Sequence, residues 1–292
     1  MKNGKLQCWI IYPEYVSLRR DNAFGWLREE ASQAGIELHT LIAERIGICY
    51  GNDAQFYYDG SRINELPDFV IIRTYDSVIT RFFENKGIEV INSSRSMELC
   101  KNKMLTHEIL TGNGIPTPRT YYSAEGRYDY AMLSEMFAAG EFIVKRTDGA
   151  KGENVYLAGS QPELTAAITA CHGNCICQEF IRTSYGRDIR LWVLDGEVIG
   201  SVLRQSETSF ISNFSQGGSA KPFTPPADAA ALASLSAQTL GIRFSGIDLL
   251  FAEDGFIVNE INGNAGFRTL SLVGDDSLPH KLFKHLSETY NH

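Results

Sequence analysis

The sequence predicts an α/β protein with several lobes, and three observations support this fold class. The chain has 292 residues with 43% hydrophobic content, which is enough for two or three compact units. In the first ninety residues, apolar strand segments alternate with helical segments, as is typical of a parallel sheet. Two turns, Asp195-Gly196 and Asp254-Gly255, indicate antiparallel hairpins near the other end. We therefore expect a parallel α/β unit followed by α+β lobes.

The N-terminal unit resembles a repeated strand–helix–strand pattern. Its apolar periodicity predicts strands at 6–11, 36–42, 68–72 and 88–91, with helices at 22–34 and 77–84. Gly35 is the expected end of the first helix. Because ligands bind at the carboxyl ends of parallel strands, Arg73 and Tyr75 are candidate ligand contacts after the third strand.

The rest of the chain divides into two further units. A helical stretch at 94–113 ends at glycines and is followed by Pro116 and Pro118, which indicate extended chain. Helices at 130–139 and 162–171 and strands at 141–146, 154–158 and 175–181 follow. The two hairpins then flank a helix at 228–240. We predict domains at 1–92, 93–180 and 181–292.

Charge and hydropathy exclude several classes of partner. The chain has 27 lysine and arginine residues against 35 aspartate and glutamate residues, a net charge of −8. No global positive field exists to attract nucleic acid or an anionic membrane, so any phosphate site must be local. No apolar run approaches the roughly 18 residues of a membrane-spanning helix. We expect a cytoplasmic protein without nucleic-acid or membrane partners.

Three cysteines lie close together in the sequence. Cys171, Cys175 and Cys177, with His172, have a spacing that would suit a metal site. The alternative is a strand in which Cys175 and Cys177 share one face by simple alternation. We favour buried thiols, and the sequence does not define a role for this cluster.

Oxygen-bearing side chains flank the second hairpin turn. Asp248 lies on one strand, while Glu260 and Asn262 share a face of its partner, so the turn can bring the three together. Two carboxylates and an amide suit magnesium held together with phosphates. An ordinary polar strand face is the alternative interpretation.

Two lysines are candidate phosphate ligands. Lys145 ends a strand and precedes a turn with Gly149 and Gly152, whose backbone amides can approach a phosphate closely. The segment is not a Walker loop, because no Gly-Lys-Ser/Thr is present and a strand follows. Lys103 begins a helix. A glycine-rich hairpin and a solvated helix face are the alternatives.

Charged side chains also occupy the first hairpin. Asp188 and Arg190 share a strand face, and Arg204 lies on the paired strand. Arginines held on a sheet can bind oxyanions with a fixed fork geometry. They can equally form cross-strand ion pairs with Asp188 as the counter-charge.

The order of these motifs resembles the ATP-grasp ligases from about residue 68 onward. Within them the sequence is similar to RimK-type α-L-glutamate ligases and the related lysine-biosynthesis amino-acid ligases. The resemblance rests on Gln178-Glu179-Phe180-Ile181, Ser212-Asn213, Gly217-Gly218 and Glu260-x-Asn262, together with the lysines and arginines above. It implies an ATP-grasp fold, with an N-terminal Rossmann-like unit and two lobes that clasp ATP.

The resemblance also implies a role for each matching residue. ATP would contact Lys103, Lys145, Gly149, Gly152, Gln178, Glu179, Phe180, Ile181, Asp188, Ser212 and Asn213. Two Mg²⁺ ions, with Mn²⁺ as a substitute, would bind Asp248, Glu260 and Asn262. Arg190, Arg204 and Asn213 would be catalytic. Separately from the resemblance, the candidate substrate contacts at the cleft are Arg73, Tyr75, Arg187, Lys221 and Arg268, with surface ion pairs as the alternative interpretation.

The sequence departs from the family pattern near the substrate. Ile211 and Gln216 replace two arginines, and Asn154 replaces a glycine of the hairpin. Gly263-Asn264 replaces Ser-Pro after the metal motif. These changes are compatible with ATP chemistry, and the sequence does not define the amino acid or its acceptor.

The resulting expectation is an ATP-dependent carboxylate–amine ligase. It would form an amide through an acyl-phosphate, adding a glutamate-like amino acid to a peptide, protein or small-molecule acceptor. Analogy with related ligases adds a homo-oligomer to these expectations. The alternatives are a non-catalytic ATP-binding regulatory protein of the same fold and a D-amino-acid dipeptide or glutathione-like ligase.

Overall fold

A computed structural model describes residues 4–19, 23–149, 154–212 and 218–290, which form two compact units. Unit 1 comprises Met1–Glu98, Ile242–Phe244 and Gly263–His292, and unit 2 comprises Leu99–Gly241 and Ser245–Asn262. Residues 263–292 belong to unit 1, whereas the sequence analysis placed them in the last lobe. The three-domain division stays a prediction. Among the residues singled out from sequence, Gly152, Asn213, Gln216 and Gly217 lie outside the described ranges.

Unit 1 is built on the predicted parallel sheet. In chain order its first elements are β1 (Leu6–Tyr12), α1 (Glu14–Ser17), α2 (Phe24–Gln33), β2 (Ile36–Ile42), a 3-10 turn (Ala43–Arg45), β3 (Ile46–Cys49), β4 (Gln55–Tyr58), β5 (Ser61–Ile63), β6 (Phe69–Ile72), α3 (Ser77–Asn85) and β7 (Glu89–Ile91). The sheet order is β2-β1-β6-β7 and every pair is parallel, which confirms the prediction. All four residues of β6 are buried, as expected for a parallel strand covered on both faces.

A small antiparallel sheet in unit 1 was missed. Strands β3, β4 and β5 pair in sequence order between residues 46 and 63, a stretch for which no strand was predicted. Asp59 and Gly60, at the turn between β4 and β5, both have positive φ, at 48° and 76°. An Asp-Gly pair is the usual signal of such a hairpin, so this turn was available in the sequence.

Unit 2 consists of two antiparallel sheets with helices. Its elements are α4 (Ser94–Lys101, which begins in unit 1), α5 (Lys103–Gly112), β8 (Thr120–Tyr121), α6 (Tyr130–Phe137), β9 (Phe142–Arg146), β10 (Val155–Ala158), α7 (Gln161–Ala170), β11 (Cys175–Glu179), a 3-10 turn (Arg182–Ser184), β12 (Arg187–Leu194), β13 (Glu197–Gln205), β14 (Ser219–Pro222), α8 (Ala227–Leu240), β15 (Phe244–Phe251) and β16 (Phe256–Asn262). Helices α9 (Arg268–Ser271) and α10 (Ser277–Tyr290) complete unit 1, where α10 packs on α2.

The two sheets of unit 2 have the orders β10-β9-β11-β8 and β14-β13-β12-β15-β16. The helix predicted at 94–113 is interrupted at Asn102, whose side chain accepts hydrogen bonds from the backbone N–H groups of Met104 and Leu105. Asparagine is a strong N-cap, so this residue begins a new helix and places Lys103 in its first turn.

Both predicted hairpins form in unit 2. In the first, Asp188 lies directly opposite Arg204; in the second, Asp248 lies opposite Glu260 and Gly246 opposite Asn262. Gly196 and Gly255 at the turns each have φ of 86°, a conformation that glycine adopts readily. The hairpins therefore set the registers that bring the polar side chains of unit 2 together.

The cysteine cluster lies in an apolar core of unit 2. Cys171, Cys175 and Cys177 are free thiols, fully buried with Leu133 and Phe142 among their neighbours. Cys175 and Cys177 share one face of β11, as the strand interpretation predicted. Burial is the main cause that raises the pKa of each thiol, so the three are held in the neutral form.

Within the described ranges, no helix combines the length and the apolar character needed to cross a membrane.

Candidate functional site

A cleft in unit 2 is surrounded by residues that the sequence analysis singled out. The empty space within it is about 830 Å³, counted with the solvent at its mouth. Nine of the eleven candidate ATP contacts line it: Lys103, Lys145, Gly149, Gln178, Glu179, Phe180, Ile181, Asp188 and Ser212. The other two, Gly152 and Asn213, are outside the described ranges. Residues more than 100 positions apart thus face one space.

The walls of the cleft also contain residues that sequence reasoning missed. Ile143, Val155, Phe210 and Leu250 provide apolar surface of the kind that packs against a flat ring. Ile143 lies two residues before Lys145 in β9, so alternation places both on the same face. That alternation was the available signal for Ile143.

Two lysines border the cleft. Lys103 Nζ lies 3.2 Å from Glu260 Oε1 and also donates to the carbonyl of Gly149. Lys145 Nζ donates to Asn259 Oδ1 at 2.7 Å. Burial and the charge of Lys103 lower the pKa of Lys145 to about 8, although Glu260 acts in the opposite direction. The cleft therefore holds two lysines, one paired with a carboxylate and the other with an amide oxygen.

Two arginines form ion pairs with two buried aspartates. Arg204 donates from Nε and Nη2 to Asp188 at 2.6 and 2.5 Å, and its Nη2 also lies 2.8 Å from Asp248. Arg190 donates from Nε and Nη2 to the two oxygens of Asp248, both at 2.7 Å. The side chain of Arg204 is 3% exposed and that of Arg190 is 15% exposed. Two cations and two anions thus neutralise each other within the sheet.

The electrostatics of this ion-pair cluster follow from its burial. Burial alone would raise the pKa of Asp248, but the charges of Arg190 and Arg204 and their hydrogen bonds offset it, and the pKa is lowered. Burial acts to lower the pKa of Arg204, but the charges and hydrogen bonds of Asp188 and Asp248 outweigh burial. The net effect is a raised pKa. The cross-strand ion pair between Asp188 and Arg204 is confirmed, and the catalytic role of the arginines stays a prediction.

The candidate metal ligands lie on one face of the second hairpin. Asp248 is opposite Glu260, and Asn262 lies two residues further along β16. Asp248 and Glu260 offer carboxylate oxygens and Asn262 an amide oxygen, which is a donor set that fits Mg²⁺. Asp248 already accepts three hydrogen bonds, of about four that a carboxylate can accept. Within the described ranges, no group of three or more His, Cys, Asp or Glu side chains is arranged to hold a metal ion. The candidate trio contains two carboxylates, and its third member is an asparagine.

The candidate substrate contacts are divided between the units. Arg187 and Lys221 belong to unit 2, where Arg187 lines the cleft and Lys221 is exposed on β14. Arg73, Tyr75 and Arg268 belong to unit 1. Arg73 is buried, donates from Nη2 to the Ala265 carbonyl at 2.6 Å and contacts aromatic rings on several sides. The exposed fraction of Tyr75 is 38%.

Comparison with known proteins identifies the family of the chain. The model of the RimK-like ATP-grasp domain matches residues 100–284. A probable alpha-L-glutamate ligase of Shewanella halifaxensis (strain HAW-EB4) is 31% identical over 253 residues, or 82% of this chain and 55% of that protein. A protein of the same description from Legionella pneumophila (strain Corby) is 29% identical over 276 residues, 90% of each chain.

Solved structures agree on the fold. The ATP-grasp ligase PsnB, complexed with a phosphomimetic variant of its minimal precursor, Mg and ADP, has a TM-score of 0.73 at 18% identity, over 99% of this chain and all of the other. The predicted ATP-grasp fold is confirmed. The chain spans about half the length of the first curated relatives, 55% in each case, and most of the Legionella protein. The chain belongs to the RimK-like ATP-grasp family.

Proposed function

We propose that the protein is an ATP-dependent carboxylate–amine ligase that forms an amide bond through an acyl-phosphate. The observation that supports this most strongly is the cleft of unit 2, where two lysines, a carboxylate and apolar walls meet in a chain of the RimK-like ATP-grasp family. The relatives described as glutamate ligases support the same reaction class.

ATP is the nucleotide proposed for the cleft. The segment Gln178 to Ile181 and the apolar side chains opposite would hold the base, and Lys103 and Lys145 would bind the phosphates. The two ammonium groups repel each other in the free protein, so a phosphate between them relieves that repulsion. The bound Mg and ADP named for PsnB are consistent with this assignment.

Asp248, Glu260 and Asn262 would hold magnesium, which supplies positive charge to the phosphates when it is bound. We propose two ions, with Mn²⁺ able to replace Mg²⁺. Arg190 and Arg204 keep the Asp248 carboxylate ionised and fixed in direction, because both of its oxygens accept guanidinium hydrogen bonds. The arginines thereby prepare the ligand set before any ion arrives.

The proposed reaction has two steps. A substrate carboxylate oxygen attacks the γ-phosphorus of ATP, giving an acyl-phosphate and ADP; an amine then attacks the acyl carbon and releases phosphate and a proton. Phosphoryl transfer needs little covalent participation by the protein, so positioning and charge stabilisation dominate. The lysines of the cleft are placed to supply that charge. No nucleophilic serine or cysteine is required.

For the substrates we propose a glutamate-like amino acid and a peptide, protein or small-molecule acceptor. The glutamate ligase relatives support the amino acid, and the precursor peptide named in another PsnB complex supports a peptide as one acceptor class. Arg73, Tyr75, Arg187, Lys221 and Arg268 remain the proposed substrate contacts. A cytoplasmic location and a homo-oligomer stay predictions.

The test is phosphate release from ATP and Mg²⁺ by the purified protein, across pools of amino acids and short acidic peptides, with mass spectrometry of the products. We expect release that depends on an amino acid, together with a new mass equal to the sum of two substrates minus water. The matched control is the Lys103→Met/Lys145→Met double variant, which should lose both signals. Tight ATP binding without a new amide in any pool would favour the non-catalytic ATP-binding alternative. A D-amino-acid dipeptide or a glutathione-like peptide among the products would instead identify the alternative ligase.

A further inference from the structure

One edge of the parallel sheet in unit 1 is open to solvent. Strand β2 is the outermost strand on that side and, among the described residues, pairs only with β1. Residues 36–41 of β2 line a groove of about 1480 Å³, counted with the solvent at its mouth. The strand has seven residues and no lysine or proline, the residues that often protect a long edge from pairing. The strand at the other edge, β7, has only three residues, so β2 is the edge suited to bind another strand.

The Ile42 amide shows which backbone groups of β2 point outward. Its N–H donates to Tyr58 Oη at 3.2 Å, so it points away from β1. Backbone groups of a strand point alternately to its two sides, so the N–H and C=O groups of Ile36, Leu38 and Thr40 also point away from β1. No described residue forms a hydrogen bond with these groups. Three residues of the edge thus offer both a donor and an acceptor to an incoming strand.

We propose that this edge pairs with the same edge of a second copy of the chain, with the two β2 strands antiparallel about a two-fold axis at Leu38. Leu38 then lies opposite the partner's Leu38, and Ile36 lies opposite the partner's Thr40. All three outward residues are used, in about six backbone hydrogen bonds. The pairing joins two four-stranded parallel sheets into one continuous sheet.

Charge complementarity favours this partner and this axis. Glu37 and His39 share the exposed face of β2, with side chains 54% and 48% exposed. About an axis at Leu38, each Glu37 lies opposite the partner's His39, in a non-hydrogen-bonded pair, where opposite side chains are closest. The two-fold axis forms this contact between a carboxylate and an imidazole twice. The β2 strand of this chain is therefore complementary to itself.

Other alignments of the two strands are less favourable. An axis at Glu37 would place it opposite the partner's Glu37, and like charges directly opposite each other are destabilising. An axis at His39 or Thr40 would need the N–H of Ile42, which already donates to Tyr58. The tyrosine thus limits pairing to the first part of the strand, where the charges match.

The experiment measures the dissociation constant of the dimer by sedimentation of the full chain over a range of protein concentrations. We expect the wild type to be a dimer at micromolar concentrations. Glu37→Lys places a cationic side chain opposite the partner's His39, and His39→Glu places a carboxylate opposite the partner's Glu37. Because each change acts twice about the axis, each should raise the dissociation constant by about tenfold or more. The double variant Glu37→Lys/His39→Glu exchanges the two charges and should return the constant to within about threefold of the wild type.

A matched control separates the edge contact from the effect of net charge. Glu288→Lys, on the exposed side of α10 in the same unit, changes the net charge by the same amount as Glu37→Lys and should leave the dissociation constant unchanged. A monomeric wild type would overturn the proposal and leave the edge to a strand from another protein. Single variants with the wild-type constant, or a double variant no tighter than the single ones, would also overturn it.

Disulfide cross-linking tests the alignment directly. In a Cys49→Ser background, which removes an exposed thiol, Glu37→Cys chains are mixed with His39→Cys chains and oxidised. We expect a disulfide between the two kinds of chain, because their paired Cα atoms lie about 4.5 Å apart, whereas equal positions lie diagonally at about 7–8 Å. The mixed dimer also keeps one intact pair of Glu37 and His39.

Cross-linking within either variant alone, at the level of the mixture, would overturn the proposed axis. No step of the experiment involves a nucleotide, so its outcome is independent of the proposed ligase activity.

Discussion

Unit 2 contains two groups of cations that differ in how their charges are balanced. Arg190 and Arg204 share two buried aspartates, and the charges of that cluster sum to zero. Lys103 and Lys145 border the cleft, where Lys103 pairs with Glu260 and Lys145 donates to the amide oxygen of Asn259. The arginines are held by carboxylates within the sheet, whereas the lysines at the cleft are held by one carboxylate and by neutral oxygens.

This difference assigns separate tasks to the two groups. Guanidinium groups with bidentate partners hold a fixed geometry, and removal of one partner leaves a buried charge uncompensated. Ammonium groups on flexible stems can follow a phosphate as it moves. We therefore expect changes in the arginine cluster to affect stability first, and changes in the lysine pair to affect nucleotide binding first.

The largest effect should come from Asp248→Asn. The substitution keeps the shape of the side chain and leaves Arg190 and Arg204 with one carboxylate between them, so the free energy of unfolding should fall by about 3–5 kcal/mol. Urea denaturation measures this loss. Glu141→Gln, which breaks the exposed pair with Arg182 in the same unit, should cost at most about 1 kcal/mol. Equal losses in the two variants would contradict the claim that the buried cluster contributes more to stability than an exposed ion pair.

The next effect concerns the lysines. Lys103→Met and Lys145→Met should each weaken ATP binding by about 10- to 100-fold, because each removes a charge-assisted hydrogen bond to phosphate. Calorimetric titration measures the change, and Lys101→Met, an exposed neighbour in the sequence, is the matched control. Wild-type affinity in both lysine variants would show that the cleft binds no phosphate.

A pH profile sharpens the comparison. The pKa of Lys145 is lowered to about 8, so the free protein loses this charge as the pH rises through that value. ATP affinity should be constant below about pH 8 and fall by up to about tenfold per pH unit above it. Lys145→Arg, whose guanidinium stays charged, should flatten the profile. Between pH 8 and the ordinary lysine pKa, the unfolded chain binds more protons at Lys145 than the folded protein does, so this residue makes the fold more stable as the pH rises. Loss of folding stability at Lys145 therefore does not explain weaker ATP binding at high pH.

The smallest predicted effect distinguishes the two arginines. Arg204 contacts both aspartates, whereas Arg190 contacts only Asp248. A lysine at position 204 would therefore lose more of the original contacts than a lysine at position 190. Arg190→Lys should cost about 1 kcal/mol of unfolding free energy and Arg204→Lys about twice that. Denaturation curves measure both. A larger loss for Arg190→Lys would contradict the assignment of Arg204 as the centre of the cluster.

Local signals in the sequence explain most of the fold that was predicted. Apolar alternation identified the parallel sheet of unit 1, and the two Asp-Gly turns defined hairpins that place Asp188 opposite Arg204 and Asp248 opposite Glu260. The break at Asn102 was missed because the apolar periodicity continues across it, and only the capping side chain marks the new helix.

Contacts between distant segments explain what the sequence could not provide. Lys103 and Glu260 are 157 positions apart, and no periodicity relates a helix start to a hairpin strand. Asn259, the partner of Lys145, and His107, the partner of Gln178, lack a spacing signal for the same reason. The sequence also could not decide whether the arginines bind an oxyanion or form ion pairs, because the same residue types are suited to both roles. The distances to Asp188 and Asp248 were needed to show the ion pairs.

The most direct test of the account follows an oxygen atom. Amino acids and acidic peptides labelled with oxygen-18 in their carboxylates would be incubated with the protein, ATP and Mg²⁺, and the released phosphate analysed by mass spectrometry. An acyl-phosphate route predicts one oxygen-18 atom in each phosphate, because the attacking carboxylate oxygen leaves with phosphorus when the amine displaces it. Amide formation with unlabelled phosphate, or with label in AMP, would contradict the proposed ligase mechanism.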